Sequence, residues 1–181
     1  GMSVFAADGD GSSGTTPPTT ESKSYIEGNG GDISIPIKKD VQTDGNTYAP
    51  DTIFEFEVNP VSVTDAPENT AVPTDGITKT EIKYTSADGL GVNGSIIKGS
   101  NLKVNQSAFT AVGIYKYTIS EKNDGYEGIR YDGKSYNVYI TVVNENGKTY
   151  PKYVKVVDAA DETKKVKEIK FVNDYGKDED N

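Results

Sequence analysis

Apolar residues recur at every second position in several short runs of the chain, the period of a β-strand with one buried face. Ile33, Ile35, Ile37 and Val41 keep this step in the first run, with Pro36 turned outward as on an edge strand. Phe54, Phe56 and Val58 keep it in the second, and Tyr115, Tyr117 and Ile119 in a third that starts at Gly113. Residues 136–143 and 150–157 are two more such runs, joined through Asn144–Glu145–Asn146–Gly147, where Asn-Gly supplies the positive φ of a tight hairpin. Ile169–Lys170–Phe171–Val172–Asn173–Asp174–Tyr175 is the last strand, and 80–84 and 102–104 read as short ones. Between them, 59–78 holds Pro60, Pro67 and Pro73 and reads as a long loop, as do the Gly-rich stretches 86–101 and 123–133. Residues 159–165 read as a charged connection with room for a helical turn. No segment keeps a 3.6-residue period over helical length. Many short strands with turn signals between them predict an all-β, antiparallel β-sandwich of immunoglobulin type.

In three of the runs the alternation continues into a residue that does not suit a core. Lys39 follows Ile35 and Ile37, Glu121 follows Tyr117 and Ile119, and Asn173 follows Ile169 and Phe171. Two readings are open. In the first, each marks a strand end: Lys39 snorkels to water, Glu121 closes its strand and Asn173 opens a turn. In the second, all three are buried together. Desolvation then disfavours charge, so the lysine tends to a neutral, nucleophilic amine and the glutamate to a protonated carboxyl. An amine facing the Asn173 carboxamide, with Glu121 polarising the carbonyl oxygen and relaying protons, would form an isopeptide bond and release ammonia. Such a reaction is a single turnover driven by proximity, and needs no cofactor.

Composition narrows the alternatives. With 181 residues, the chain is of single-domain length. We expect a leader at 1–30 rich in Gly, Ser, Thr and Pro, a domain at 31–176 and an acidic tail at 177–181. Ser3–Val4–Phe5–Ala6–Ala7–Asp8 reads as a signal-peptide remnant, a hint of export. Asp8–Gly9–Asp10–Gly11 has the start of a calcium loop but not its distal ligands, and reads as linker. A net charge of −9 argues against nucleic acid or an anionic membrane as partner. The chain has no Cys and no His, which removes thiol nucleophiles, disulfides, Ser-His-Asp triads and the usual zinc sites. No cofactor or metal is expected, nor a turnover enzyme.

The motifs also occur in a familiar order. Ile35–Pro36–Ile37–Lys38–Lys39 is similar to the opening strand of the isopeptide-forming pilin domains of Gram-positive bacteria, the streptococcal-type backbone pilin module of the CnaB-like immunoglobulin class. Ala49–Pro50–Asp51–Thr52–Ile53–Phe54–Glu55–Phe56 resembles that family's second strand. Gly113–Ile114–Tyr115–Lys116–Tyr117–Thr118–Ile119–Ser120–Glu121 resembles its Gly-x-Tyr-x-Tyr-x-Ile-x-Glu segment, and Tyr131–Asp132 and Tyr136–Asn137–Val138 follow at similar spacing. Residues 169–175 resemble its terminal strand. The resemblance implies a CnaB-like sandwich whose first and last strands lie side by side. It implies Glu121 as the catalytic carboxyl and Asn173 as the reactive amide. For the lysine, ungapped spacing from Pro50 and Phe54 favours Lys38, whereas strand alternation favours Lys39, which we take because facing decides reactivity.

The function so implied is structural: a pilus shaft subunit or adhesin stalk on the cell wall of a Gram-positive bacterium. Sortase and other pilin subunits are the implied partners, and Lys165 and Lys152 the candidate acceptor lysines. The Leu-Pro-x-Thr-Gly sorting pattern of the family does not occur in this sequence. The alternative is a surface adhesin that binds a host glycan or matrix protein through the loops at 59–78 and 86–101.

Overall fold

A computed structural model describes residues 26–28 and 31–176, so the signal-peptide remnant, the calcium-loop fragment, the acidic tail and all of the leader but residues 26–28 lie outside the described residues; Ile26–Glu27, read as leader, instead forms a short strand that pairs with Tyr153–Val154. Its strands are β1 (Ile26–Glu27), β2 (Ile33–Gln42), β3 (Thr52–Thr64), β4 (Ile77–Thr78), β5 (Glu81–Tyr84) and β6 (Ser95–Val104). They continue with β7 (Gly113–Glu121), β8 (Ile129–Arg130), β9 (Ser135–Glu145), β10 (Lys148–Asp158), β11 (Asp161–Val166) and β12 (Ile169–Tyr175). Two sheets form an immunoglobulin-like sandwich. One has the order β1-β10-β9-β7-β3-β5 with β11 beside β10, and the other has β4-β6-β2-β12-β8.

The alternating residues are what close the sandwich. Every second side chain of β7, from Gly113 to Glu121, is buried, and β2 buries Ile33, Ile35, Ile37, Lys39 and Val41 in the same step. The apolar members of these rows meet Phe54, Phe56, Ile140, Val154, Ile169 and Phe171 in one core. Asn146 and Gly147 both take positive φ, 54° and 77°, which is the turn that lets β9 and β10 pair as a tight hairpin.

Several boundaries differ from the sequence reading, each for a local reason. Strand β2 is not an edge strand, because it pairs antiparallel with β6 and, from Ile37 onward, parallel with β12. Pro36 is tolerated because it precedes the start of the β12 ladder and has no N–H to contribute. Strand β3 runs through Pro60 to Thr64. The register against β7 shifts between Pro60 and Ser62, so a bulge absorbs the proline and leaves Val61 half exposed. Strand β6 begins at Ser95, well inside the stretch read as loop, because Gly91 and Gly94 make the turn at φ 72° and 82° and Gly99 is carried within the strand. The charged stretch 161–166 forms β11 rather than a helical turn. All but its last residue are exposed, as suits a lysine-bearing edge strand paired with β10. The two loops proposed as a binding surface shrink accordingly.

The parallel β2–β12 pair is the one parallel ladder among the described strands. Its register sets Phe171 beside Lys39 and Asn173 beside Val41. Phe171 is fully buried between Phe56, with ring centroids 5.5 Å apart, and Tyr136 at 5.6 Å. Truncating it should open a cavity at the join of the sheets. Phe171→Ala is expected to cost about 3–5 kcal/mol, read as a shift in urea midpoint between Lys39→Ala and Lys39→Ala/Phe171→Ala.

Candidate functional site

Lys39 and Asn173 reach the same interior spot from neighbouring strands of one sheet, and Glu121 comes to them from the other. Alternation puts Lys39 on the inward face of β2. Its Nζ lies 2.8 Å from Glu121 Oε2, with both side chains 0% exposed. Asn173 is also 0% exposed, and its Nδ2 donates to the same oxygen at 3.2 Å. The three residues singled out in the sequence therefore share one contact group. Lys38 points the other way: its side chain is 47% exposed and its ammonium is 4.0 Å from Glu168. A one-residue step in a strand reverses the face, so β2 buries Lys39 and leaves Lys38 in water.

The surroundings are apolar. The Lys39 ammonium sits 4.8 Å from the Phe54 ring centroid, and Phe56 and Phe171 stack beside the site. The single Tyr84 hydroxyl proton is shared between the Lys39 carbonyl at 2.8 Å and the Ile96 carbonyl at 2.7 Å, holding the β2–β6 backbone behind the lysine. Burial lowers the Lys39 pKa, against the pull of the Glu121 charge. Burial likewise raises the Glu121 pKa, against Lys39, the Asn173 amide and the nearby Asp132 N–H. In both cases the loss of hydration is the larger effect, which favours transfer of the proton from amine to carboxyl. At 2.8 Å the amine and Glu121 Oε2 are within proton-transfer reach, and Glu121 Oε1 has no hydrogen-bond partner.

One participant was not foreseen in this role. The Asp132 backbone N–H donates to Asn173 Oδ1 at 2.8 Å, and Asp132 Oδ2 accepts from the Val172 N–H at 2.8 Å. Asp132 Oδ1 accepts from the Lys134 N–H at 2.8 Å. The carboxamide oxygen thus rests on Asp132, whereas Glu121 meets the amide nitrogen. This reverses the sequence expectation that Glu121 polarises the oxygen. The Tyr-Asp pair at 131–132 was visible in the sequence, but strand alternation says nothing about a loop residue.

A second lysine, glutamate and asparagine meet on the outer face of the larger sheet. Asn137 Nδ2 donates to Glu162 Oε2 at 2.6 Å, and Lys116 Nζ is 3.9 Å from that oxygen. Here the Lys116 and Glu162 side chains are 29% and 46% exposed. Glu162 is held below the ordinary carboxyl range by hydrogen bonds from Asn137 and Tyr139. The residue types are those of the interior site and the electrostatics are opposite.

Of the acceptor candidates, Lys165 is exposed on β11, opposite Val157 of β10. Lys152 is engaged, its Nζ donating to Glu145 Oε2 at 2.6 Å and lying 5.6 Å from the Tyr153 ring centroid. Among the described residues, no group of three or more His, Cys, Asp or Glu side chains could hold a metal ion. No helix among them is long and apolar enough to cross a membrane.

The chain belongs to the FctA family, the Spy0128-like isopeptide containing domain, matched over residues 35–176. It is similar in structure to the major pilin protein T-13 of Streptococcus pyogenes, with 32% identity and a TM-score of 0.66 over 85% of this chain and 55% of that one. A second major pilin of Streptococcus pyogenes shares 25% identity and a TM-score of 0.62 over 78% of this chain and 50% of that one. The chain thus spans about half the length of the pilins it resembles. Comparison with the curated proteins gives no match.

Removing one member of the buried pair should cost more than removing both. Glu121→Ala strands a buried lysine, at about 3–5 kcal/mol, whereas Lys39→Met/Glu121→Leu replaces the pair with apolar volume. The double variant is expected to have the higher urea midpoint.

Proposed function

We propose that the chain is a structural subunit of a surface pilus, or a stalk module of a surface adhesin, stapled by an autocatalytic isopeptide bond between Lys39 and Asn173. The observation that carries this reading is the contact of a fully buried amine, carboxyl and carboxamide where the first long strand and the last strand run parallel. Glu121 takes the proton from the Lys39 ammonium, and the neutral amine attacks Asn173 Cγ. The new C–N bond forms as the Cγ–Nδ2 bond breaks. Glu121 gives its proton to Nδ2, which leaves as ammonia, and takes up the second Nζ proton, so the new amide nitrogen keeps one hydrogen and the carboxyl ends protonated. No outside reactant is needed, and the interior position supplies both proximity and desolvation.

The geometry suits a load-bearing element. In a parallel pair, the start of β2 and the end of β12 lie at opposite ends, so tension between the termini shears the two strands. A bond from residue 39 to residue 173 would carry that load and leave the chain between them unloaded. It would also remove about 4–5 kcal/mol of unfolded-state entropy, by analogy with a disulfide closing a loop of roughly 130 residues. In a chain without cysteine, this staple is independent of redox conditions.

Membership of the family supports other pilin subunits as neighbours on a surface pilus, and we read the wall of a Gram-positive bacterium as the location and sortase as the joining enzyme. Lys165 is the better acceptor candidate, because it is exposed on an edge strand whereas Lys152 is paired with Glu145. The adhesin alternative loses ground with the shorter loops.

Intact-mass spectrometry tests the bond. The unaltered protein is expected to be one ammonia lighter than its sequence, and Glu121→Ala and Asn173→Ala to have full mass. Peptide mapping should find Lys39 joined to Asn173 and Lys116 not joined to Asn137. Full mass for the unaltered protein overturns the proposal.

The rate of bond formation should be bell-shaped in pH. The reactive pair holds one proton, on Glu121. At lower pH both groups are protonated and the ammonium is no nucleophile; at higher pH the pair has lost the proton that the leaving nitrogen needs. Because burial lowers Lys39 and raises Glu121, the acid limb should report Lys39 gaining a proton and the alkaline limb Glu121 losing one. Linear chain purified in denaturant and diluted into buffers of different pH provides the measurement.

A further inference from the structure

We infer that Asp132 is a catalytic and positioning residue for this cross-link: its backbone N–H is the donor that receives the oxyanion of Asn173, and its carboxylate clips that donor to β12. The inference rests on the cross-link reading above and adds the component that reading leaves out. When the Lys39 amine adds to Cγ, an electron pair of the carbonyl moves onto Oδ1. Glu121 Oε2 is turned to the amide nitrogen, and the donor that meets Oδ1 is Asp132. The Asp132 N–H already lies 2.8 Å from Oδ1. A backbone donor prealigned in a dry site stabilises developing charge without reorganising. As the intermediate collapses, the pair returns from Oδ1 to restore the carbonyl. The Cγ–Nδ2 bond breaks, and ammonia departs with the proton relayed by Glu121.

The clip explains why a loop residue can hold this position. Asp132 follows β8 and precedes β9, in a segment with no ladder partner of its own. Its two carboxylate oxygens are divided between the Val172 N–H, one residue before the reactive Asn173, and the Lys134 N–H of its own turn. Side chain and main chain of one residue therefore bind both the backbone and the side chain of the electrophile's strand. The rotamer of Asn173 is fixed from its oxygen end by Asp132 and from its nitrogen end by Glu121. Flipping the amide would set its NH2 against the Asp132 N–H, so that donor favours Oδ1 on its side.

Two replacements separate donor from clip. In one, the N–H of residue 132 becomes an ester oxygen, which leaves the carboxylate in place; the other is Asp132→Asn, which keeps the N–H but removes a charge and one of two acceptors. Each is diluted from denaturant beside the unaltered chain, and ammonia loss is followed by intact mass across pH. The ester form is expected to react about 10²-fold more slowly on the plateau, the effect of losing one oxyanion donor, with its pH limbs unmoved. Asp132→Asn should also slow the plateau. The carboxylates whose charges act on Lys39 are Glu121, Asp132 and Asp40, so loss of one charge should in addition move that variant's limbs to lower pH. Each replacement is also made with Lys39→Ala, in which no bond can form. Unchanged thermal midpoints there mark an intact fold, and whichever replacement meets that condition decides. An ester form as fast as the unaltered chain overturns the donor role. Shifted limbs with an unchanged plateau in Asp132→Asn overturn the clip and leave Asp132 as a charge only. Linking in all three at one rate refutes this inference alone, whereas full mass in the unaltered chain refutes the cross-link and this inference together.

Discussion

The loss of water around Lys39 and Glu121 is the constraint on which the site depends. A lysine and a glutamate 2.8 Å apart at the surface are an ordinary ion pair of little consequence. With no exposure on either side chain, hydration no longer supports the separated charges, and the proton can pass from nitrogen to oxygen. Such a shift would turn an inert ammonium into a nucleophile and an acceptor carboxylate into a proton source. The outer-face group of Lys116, Glu162 and Asn137 supplies the contrast within one molecule. Water and two good donors keep Glu162 charged.

Everything around the site serves to exclude water or to aim a group. Phe54, Phe56 and Phe171 form its apolar wall, and the wall is continuous with the core of the sandwich. The parallel β2–β12 ladder sets the amine and the amide at neighbouring inward positions, whereas the carboxyl must cross from β7 in the opposite sheet. The site therefore cannot exist until both sheets have packed. A cross-link made this way records completed folding, and could not form early and trap a wrong arrangement.

Much of this was legible in the chain. Strict alternation in residues 33–41 and 113–121 gave the strands, their inward faces and the misplaced Lys39 and Glu121; the same pattern in 169–175 gave Asn173. Asn146–Gly147 located the hairpin because few other residue pairs accept two positive φ values in succession. Strand ends were harder to read where a proline or glycine sits inside a strand, since a bulge at Pro60 and a neighbour for Gly99 come from pairing partners far along the chain.

What the sequence alone determined is which residues face inward, because the two-residue period is a property of the extended backbone. It thereby favoured Lys39 over Lys38 as the inward lysine, although the ungapped spacing from Pro50 and Phe54 favoured Lys38. Tertiary structure decided the rest: that β2 is an interior strand, that its β12 partner runs parallel, and that a carboxyl from the far sheet reaches both. It also brought in Asp132, a loop residue with no periodic signature, whose place is set only by hydrogen bonds to Val172 and Asn173. Contacts between residues dozens of positions apart depend on how the sheets close, and local periodicity carries no information about that closure.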